Sequence, residues 1–135
     1  RGRRVGFSIT NLDGKQGILA HIDIQSRIRV GRYGVSLRDL DKIGVPSLVA
    51  ESDYVIVVVD EIGKMECFSG LFKKTLKEVL DSTNPVVGSI AMKGNAFIEA
   101  IKKRSDTHLI SVSVDNRDVL VEDFFNRKLV GKAGD

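Results

Sequence analysis

The stretch Tyr54-Val55-Ile56-Val57-Val58-Val59-Asp60-Glu61-Ile62-Gly63-Lys64-Met65-Glu66 carries the decisive pattern of the chain. Residues with β-forming side chains run unbroken from Tyr54 to Val59 and lead straight into two adjacent carboxylates, Asp60 and Glu61. An apolar run of this length, rich in Val and Ile, predicts a strand buried on both faces, as in a parallel sheet. That reading puts Asp60 and Glu61 at the carboxyl end of the strand, the edge at which open α/β sheets bind ligands. Neighbouring residues at a strand end splay to different sides, so one carboxylate can serve a metal ion while the other serves a nucleophile. Taken alone, the pair reads either as such a site or as a solvated strand end.

Downstream, Phe68, Phe72, Leu76, Val79 and Leu80 mark one face of a helix to about Ser82, with Lys73, Lys74 and Lys77 opposite. Asn84-Pro85 ends it, and Val86 to Ala91 predicts a second buried strand. Asn95 is placed to cap a helix with Phe97, Ile98 and Ile101 inward and Lys102, Lys103 and Arg104 outward. His108 to Val114 predicts a third strand. Asp115 is placed to cap a last helix with Val119, Leu120, Phe124 and Phe125 on its apolar side, followed by a loose tail, Gly131 to Asp135. The order β-α-β-α-β-α from Tyr54 onward implies a parallel sheet covered by helices.

Upstream, the pattern differs. Val5 to Thr10 alternates, Asn11 to Lys15 holds an Asp-Gly turn signal, and Gly17 to Ile22 is a second extended run, which together predict an antiparallel hairpin. A short extended segment follows around Tyr33 to Val35. Leu37, Leu40 and Ile43 fall at helical spacing behind a capping Ser36. Gly44-Val45-Pro46 interrupts, and a short helix is expected from Ser47 to Glu51.

The 135 residues are of the size of one domain with a real core, and 42% hydrophobic with 29% charged residues marks a globular chain. No apolar run approaches the roughly 18 residues that span a bilayer, and Arg1-Gly2-Arg3-Arg4 has no apolar segment after it, so it is not a signal peptide. The sequence starts with Arg rather than Met, which suggests a cut chain or part of a longer one. Cys67, the only cysteine, excludes an internal disulfide and a cysteine-cluster metal site and favours a reducing, cytoplasmic setting. A formal charge of +3, with aromatics at 6% and no Trp, argues against a nucleic-acid surface but allows phosphate-bearing ligands.

A phosphate-handling site built on Asp60-Glu61 calls for a companion cradle, G-x-x-x-x-G-K-[ST]. The pairs Gly14-Lys15, Gly63-Lys64 and Gly131-Lys132 are not followed by Ser or Thr. The positions where the first Gly should stand hold Ile9, Val58 and Asn126. The cradle is absent from the sequence.

Asp60-Glu61-Ile62-Gly63-Lys64-Met65-Glu66, followed by Phe68-Ser69 and Phe72, resembles the Walker B element of the small P-loop nucleoside triphosphatases described as thermophilic or cancer-related. Arg4-Val5-Gly6-Phe7 resembles that family's Arg-x-Gly-Phe strand, and Arg29 to Val35 its Val-Gly-x-Tyr-x-Val segment. Ile101-Lys102-x-Arg104-x-Asp106 and Asn116-Arg117-Asp118 match its later signatures, so the resemblance runs from Arg3 to about Phe125. It implies an α/β fold over residues 1–135: a P-loop NTPase-like parallel sheet flanked by helices, with an N-terminal antiparallel hairpin region. The implied activity is Mg²⁺-dependent hydrolysis of nucleoside 5'-triphosphates (ATP, GTP and others) to the diphosphate and phosphate. Asp60 would be the metal ligand and Glu61 the base that activates water. The implied nucleotide-binding set is Val58, Val59, Asp60, Glu61, Ile62, Gly63, Lys64, Ser89, Arg104, Asn116 and Arg117. Family members begin with a strand, the P-loop, a helix and another strand. A βαβ unit takes roughly 30 residues, and none of it is here, so the single domain is expected to be N-terminally incomplete through truncation, a gene-model error or natural loss. Strands left unpaired by this would favour self-association.

Several of these residues carry a plainer reading beside the functional one. Lys64 is either a phosphate contact or a surface charge, and Glu66 either orients the loop or, as its position favours, starts the next helix. Ser89 is a γ-phosphate sensor or a small residue in a crowded sheet. Arg104 is a transition-state cation or the basic last turn of a helix. Asn116 and Arg117 lie near a base or ribose, or Asn116 joins Asp115 in capping. His21, His108 and Cys67 read as structural, and Arg1, Arg3 and Arg4 as an exposed strand start. The rival functions are a nucleotide or nucleoside kinase and a non-catalytic nucleotide-binding remnant. No membrane partner is expected.

Overall fold

A computed structural model describes residues 2–124. They fall into two compact units, one reaching to Lys103 and the other beginning at Arg104.

The first unit opens with the expected hairpin, β1 (Gly6–Thr10) and β2 (Gln16–His21), joined by a turn in which the Asn11 side chain accepts from the Lys15 N–H at 2.8 Å. The extended segment downstream is a second hairpin, β3 (Arg29–Val30) and β4 (Tyr33–Val35), closed by Gly31-Arg32. Gly31 has φ 58°, as the first position of a type II′ turn requires. The four strands form one antiparallel sheet in the order β1-β2-β4-β3, larger than the hairpin predicted.

Two separate helices were expected between Leu37 and Glu51. Instead a single rod carries α1 (Leu37–Asp39), a π-helical turn (Leu40–Gly44) and α2 (Val45–Ser47). Ser36 caps α1 as predicted, its side chain accepting from the Asp39 N–H. Pro46 has no N–H to give to an i−4 carbonyl. The rod absorbs it by widening just before: the Val45 N–H reaches the carbonyl of Leu40.

The parallel part consists of β5 (Val57–Ile62), α3 (Gly70–Asp81), β6 (Val86–Ile90) and α4 (Ala96–Lys102). Asn95 caps α4 as read from the sequence, accepting from the Ile98 N–H at 3.0 Å, and Ser69, not singled out from the sequence, caps α3 by accepting from the Phe72 N–H at 2.9 Å. Val57, Val59 and Ile62 share one core with Phe72, Leu76, Val79, Ile98 and Ile101.

Four expectations fail in detail. Tyr54 to Ile56 are outside the strand, because β6 starts only after Pro85 and the ladder opens with the Val57 N–H on the Pro85 carbonyl at 2.9 Å. β5 is buried on one face only: Val57 and Val59 are covered, but Val58 is 67% exposed. β6, read as a second buried strand, has no fully buried residue, and Gly88 and Ser89 are exposed because only β5 pairs with it among the described residues. In the second unit, residues 108–114 form no strand. A strand is defined by pairing, and a β-prone sequence without a ladder partner stays irregular. Here α5 (Arg117–Phe124) is the one helix among the described residues. Phe125 and Gly131 to Asp135 lie outside the described residues. Among those described, no helix is long and apolar enough to cross a membrane.

Candidate active site

Asp60 and Glu61 do not end β5. They interrupt it. Val59 pairs with Gly88 and Ile62 with Ile90, so Asp60 and Glu61 together face the single residue Ser89. This is a β-bulge of two residues against one, a device that locally bends a strand and re-aims its side chains. The ladder resumes beyond it, with the Ala91 N–H on the Ile62 carbonyl at 3.1 Å. Both carboxylate residues are exposed, while Val59 before them and Ile62 after them are buried. The alternation of the strand therefore anchors the bulge on both sides and leaves the two acids in solvent.

Ser89 fastens the bulge. Its hydroxyl donates to the Asp60 carbonyl, a group that bulging takes out of the ladder. Its bond is thus to the backbone that carries the acids.

Beyond the bulge the chain turns sharply. The Gly63 carbonyl accepts from the Cys67 N–H at 3.3 Å, and the Gly63 N–H donates to Glu66 Oε2 at 3.1 Å. The Glu66 side chain reaches back to the Gly63 N–H, one half of a capping box, and the backbone bond to Cys67 closes the turn. The absent side chain of Gly63 leaves space that both carboxylates use: a Cβ there would lie 2.8 Å from Glu61 Oε1 and 2.9 Å from Glu66 Oε2. Glu66 is buried, and burial pushes its carboxyl above the ordinary glutamate range, its own and the Gly63 N–H pull it back, and the nearby Glu61 adds to the rise. Glu66 starts the next helical element, as its position favours: it opens a one-turn 3₁₀ helix, Glu66–Phe68. The longer helix α3 begins at Gly70 with Ser69 as cap, and the Glu66 side chain also ties the loop. Lys64 is exposed on this loop, and Met65 is half-buried.

Cys67, next in sequence, is buried, and its thiol is pushed up by desolvation. This fits the structural reading. His21 Nδ1 accepts from the Asp23 N–H at 3.2 Å, also a structural contact.

The NTPase family model matches residues 1–125. The chain belongs to this NTPase family. Similar NTPase chains include the "Nucleoside-triphosphatase THEP1" of Thermotoga sp. (strain RQ2), 40% identical over 126 residues, covering 93% of this chain and 72% of the relative. The "Cancer-related nucleoside-triphosphatase homolog" of Mus musculus is 35% identical over 136 residues, covering 90% of this chain and 72% of the relative. Among solved structures, the crystal structure of THEP1 from Aquifex aeolicus matches with a TM-score of 0.83 at 29% identity, covering 91% of this chain and 76% of that one. The α/β fold read from the sequence is that of this NTPase neighbour.

Within the NTPase chain, Val58, Val59, Asp60, Glu61, Ile62, Gly63, Lys64 and Ser89 all belong to the first unit and gather at the bulge and its loop. Arg104, Asn116 and Arg117 belong to the second. There Arg104 forms a two-bonded pair with Asp106, Nε to Oδ1 at 2.8 Å and Nη2 to Oδ2 at 2.7 Å, which holds the Asp106 carboxyl below its usual range. The Asn116 amide accepts from the Ser113 N–H at 2.7 Å and donates to the Ser111 carbonyl at 2.9 Å, so it stitches its own loop. Arg117 opens α5, beside Asp118 at 3.5 Å.

Proposed function

We propose that this chain hydrolyses nucleoside 5'-triphosphates, ATP and GTP among them, to the diphosphate and phosphate in the presence of Mg²⁺. The observation that carries the reading is the Asp60–Glu61 bulge: two adjacent, exposed carboxylates on a parallel strand, anchored by buried neighbours and by Ser89. The names of the relatives support the reaction class.

Glu61 takes a proton from water, and the water oxygen attacks the γ-phosphorus. The bond from that phosphorus to the β-phosphate oxygen breaks, and that oxygen leaves with the diphosphate. Asp60 is the residue to hold Mg²⁺. Magnesium takes oxygen donors and is commonly held by one or two carboxylates, with water and substrate phosphates completing the shell. The described residues contain no group of three or more His, Cys, Asp or Glu suited to a metal, so a single exposed carboxylate fits a magnesium shared with substrate better than an all-protein cage. When bound, the ion supplies charge neutralisation on the phosphate oxygens. Exposed Lys64 and Val58 are the side chains this segment offers to the nucleotide; buried Val59, Ile62 and Gly63 place them, and Arg104, Asn116 and Arg117 are assigned to the nucleotide on the resemblance alone. An acid beside the metal ligand favours water over the acceptor that a kinase would use. A single buried thiol suits a reducing, cytoplasmic setting.

A second reading has its own observation. The sequence holds no G-x-x-x-x-G-K-[ST], which favours a nucleotide-binding remnant without turnover. Phosphate release from ATP and GTP, measured against Mg²⁺ concentration, separates the two. The hydrolytic reading expects Mg²⁺-dependent release, with Asp60→Asn needing about tenfold more Mg²⁺ or more. No release by the wild-type chain supports the remnant; identical Mg²⁺ curves remove Asp60 as the metal ligand.

A further inference from the structure

We propose that Glu66 is a positioning residue for the hydrolytic base: its buried carboxylate holds the Gly63 N–H and so fixes the loop against which the Glu61 side chain rests. The inference rests on the hydrolytic reading of Glu61. Three observations carry it. Glu66 Oε2 accepts from the Gly63 N–H at 3.1 Å, a buried contact. The Gly63 carbonyl is held in turn by the Cys67 N–H, so the turn closes on itself. Glu61 Oε1 and Glu66 Oε2 both lie beside Gly63, 2.8 Å and 2.9 Å from where a Cβ on it would stand. Burial is costly for a carboxyl group and is tolerated where its oxygens are hydrogen-bonded. The bonds it makes are within the turn that follows the bulge, and none is needed to cap α3, which has Ser69 for that purpose.

If Glu66 is removed, the Gly63 amide loses its acceptor and the turn after the bulge relaxes. Glu61 then loses the surface that limits where its carboxylate lies. Asp60 keeps its own anchor, the Ser89 hydroxyl on its carbonyl, whereas Gly63 and Lys64 lie in the relaxed turn. The cost therefore falls more on turnover than on affinity.

The test compares wild type, Glu66→Gln and Glu66→Ala by amide hydrogen exchange without nucleotide and by steady-state hydrolysis. Glutamine keeps an acceptor oxygen at the same reach. The expected result is Gly63 protection in wild type and Glu66→Gln, its loss in Glu66→Ala, and undiminished protection of the core amides of Leu76 and Ile98 in all three. With it, kcat of Glu66→Ala falls about 10- to 100-fold, KM changes by a smaller factor than kcat, and Glu66→Gln turns over near the wild-type rate. Should the core amides of Glu66→Ala lose protection as well, Glu66→Asp, one methylene too short for Gly63, takes its place with the same expectations. A Gly63 amide still protected in the alanine or aspartate variant overturns the proposal, as does a freed amide with unchanged kcat. A wild-type chain without turnover overturns the hydrolytic reading and the positioning role with it. That failure is distinguishable, since Gly63 protection then still differs among the variants.

Discussion

Glu66 shows how one side chain couples charge to structure. Its carboxyl is buried and titrates above the ordinary glutamate range, chiefly through desolvation. The folded chain therefore holds this proton at pH values where the unfolded chain has released it. The contribution of Glu66 to stability is complete below the unfolded pKa and is lost as pH rises through the raised native value. Glu66→Gln has no such proton to lose. Its melting temperature relative to wild type is predicted to rise from mildly acidic to neutral pH, measured by thermal denaturation across that range; parallel curves would show that Glu66 titrates alike in both states. Legibility at this scale was uneven. Asp60 and Glu61 stood out because two acids after an apolar run are chemically conspicuous. The roles of Glu66 and Ser89 depend on where a turn and a facing strand bring backbone groups, Gly63 N–H for one and the Asp60 carbonyl for the other, and neither follows from composition or period.

At the scale of elements, local rules proved most reliable where a signal is local. The caps at Ser36 and Asn95, the first hairpin, α3 and α4 all follow from short-range pattern and capping chemistry. What failed required knowledge of a partner. β5 starts at Val57 because β6 starts after Pro85, the bulge arises between two strands, and residues 108–114 lack a ladder despite a β-prone sequence. The helical rod from Leu37 to Ser47 survives Pro46 by a π-turn, a compensation that propensity does not contain. Ser69 joins two of these elements: it caps α3 and also donates to Asp41 in the rod. Ser69→Ala removes both bonds at a buried site, and a loss of about 1–2 kcal/mol is predicted in urea denaturation. A change within a few tenths of a kcal/mol would mean that neither bond adds net stability.

For the whole molecule, the fold class was visible in the sequence through the alternation after Tyr54 and the resemblance around Asp60 to Glu66, and the NTPase fold of the neighbouring crystal structure agrees. Burial was less legible: β5 reads as a strand covered on both faces, yet Val58 faces solvent among the described residues. The central claim joins all three scales, since a bulge between two strands sets two carboxylates in solvent, and one of them is assigned the proton of the attacking water. Glu61→Gln tests it most directly, because it preserves size and removes the base. With nucleotide binding measured in parallel, phosphate release from ATP by Glu61→Gln is predicted to fall about 100-fold or more below wild type while the nucleotide is still bound. A variant that releases phosphate at the wild-type rate would contradict the assignment.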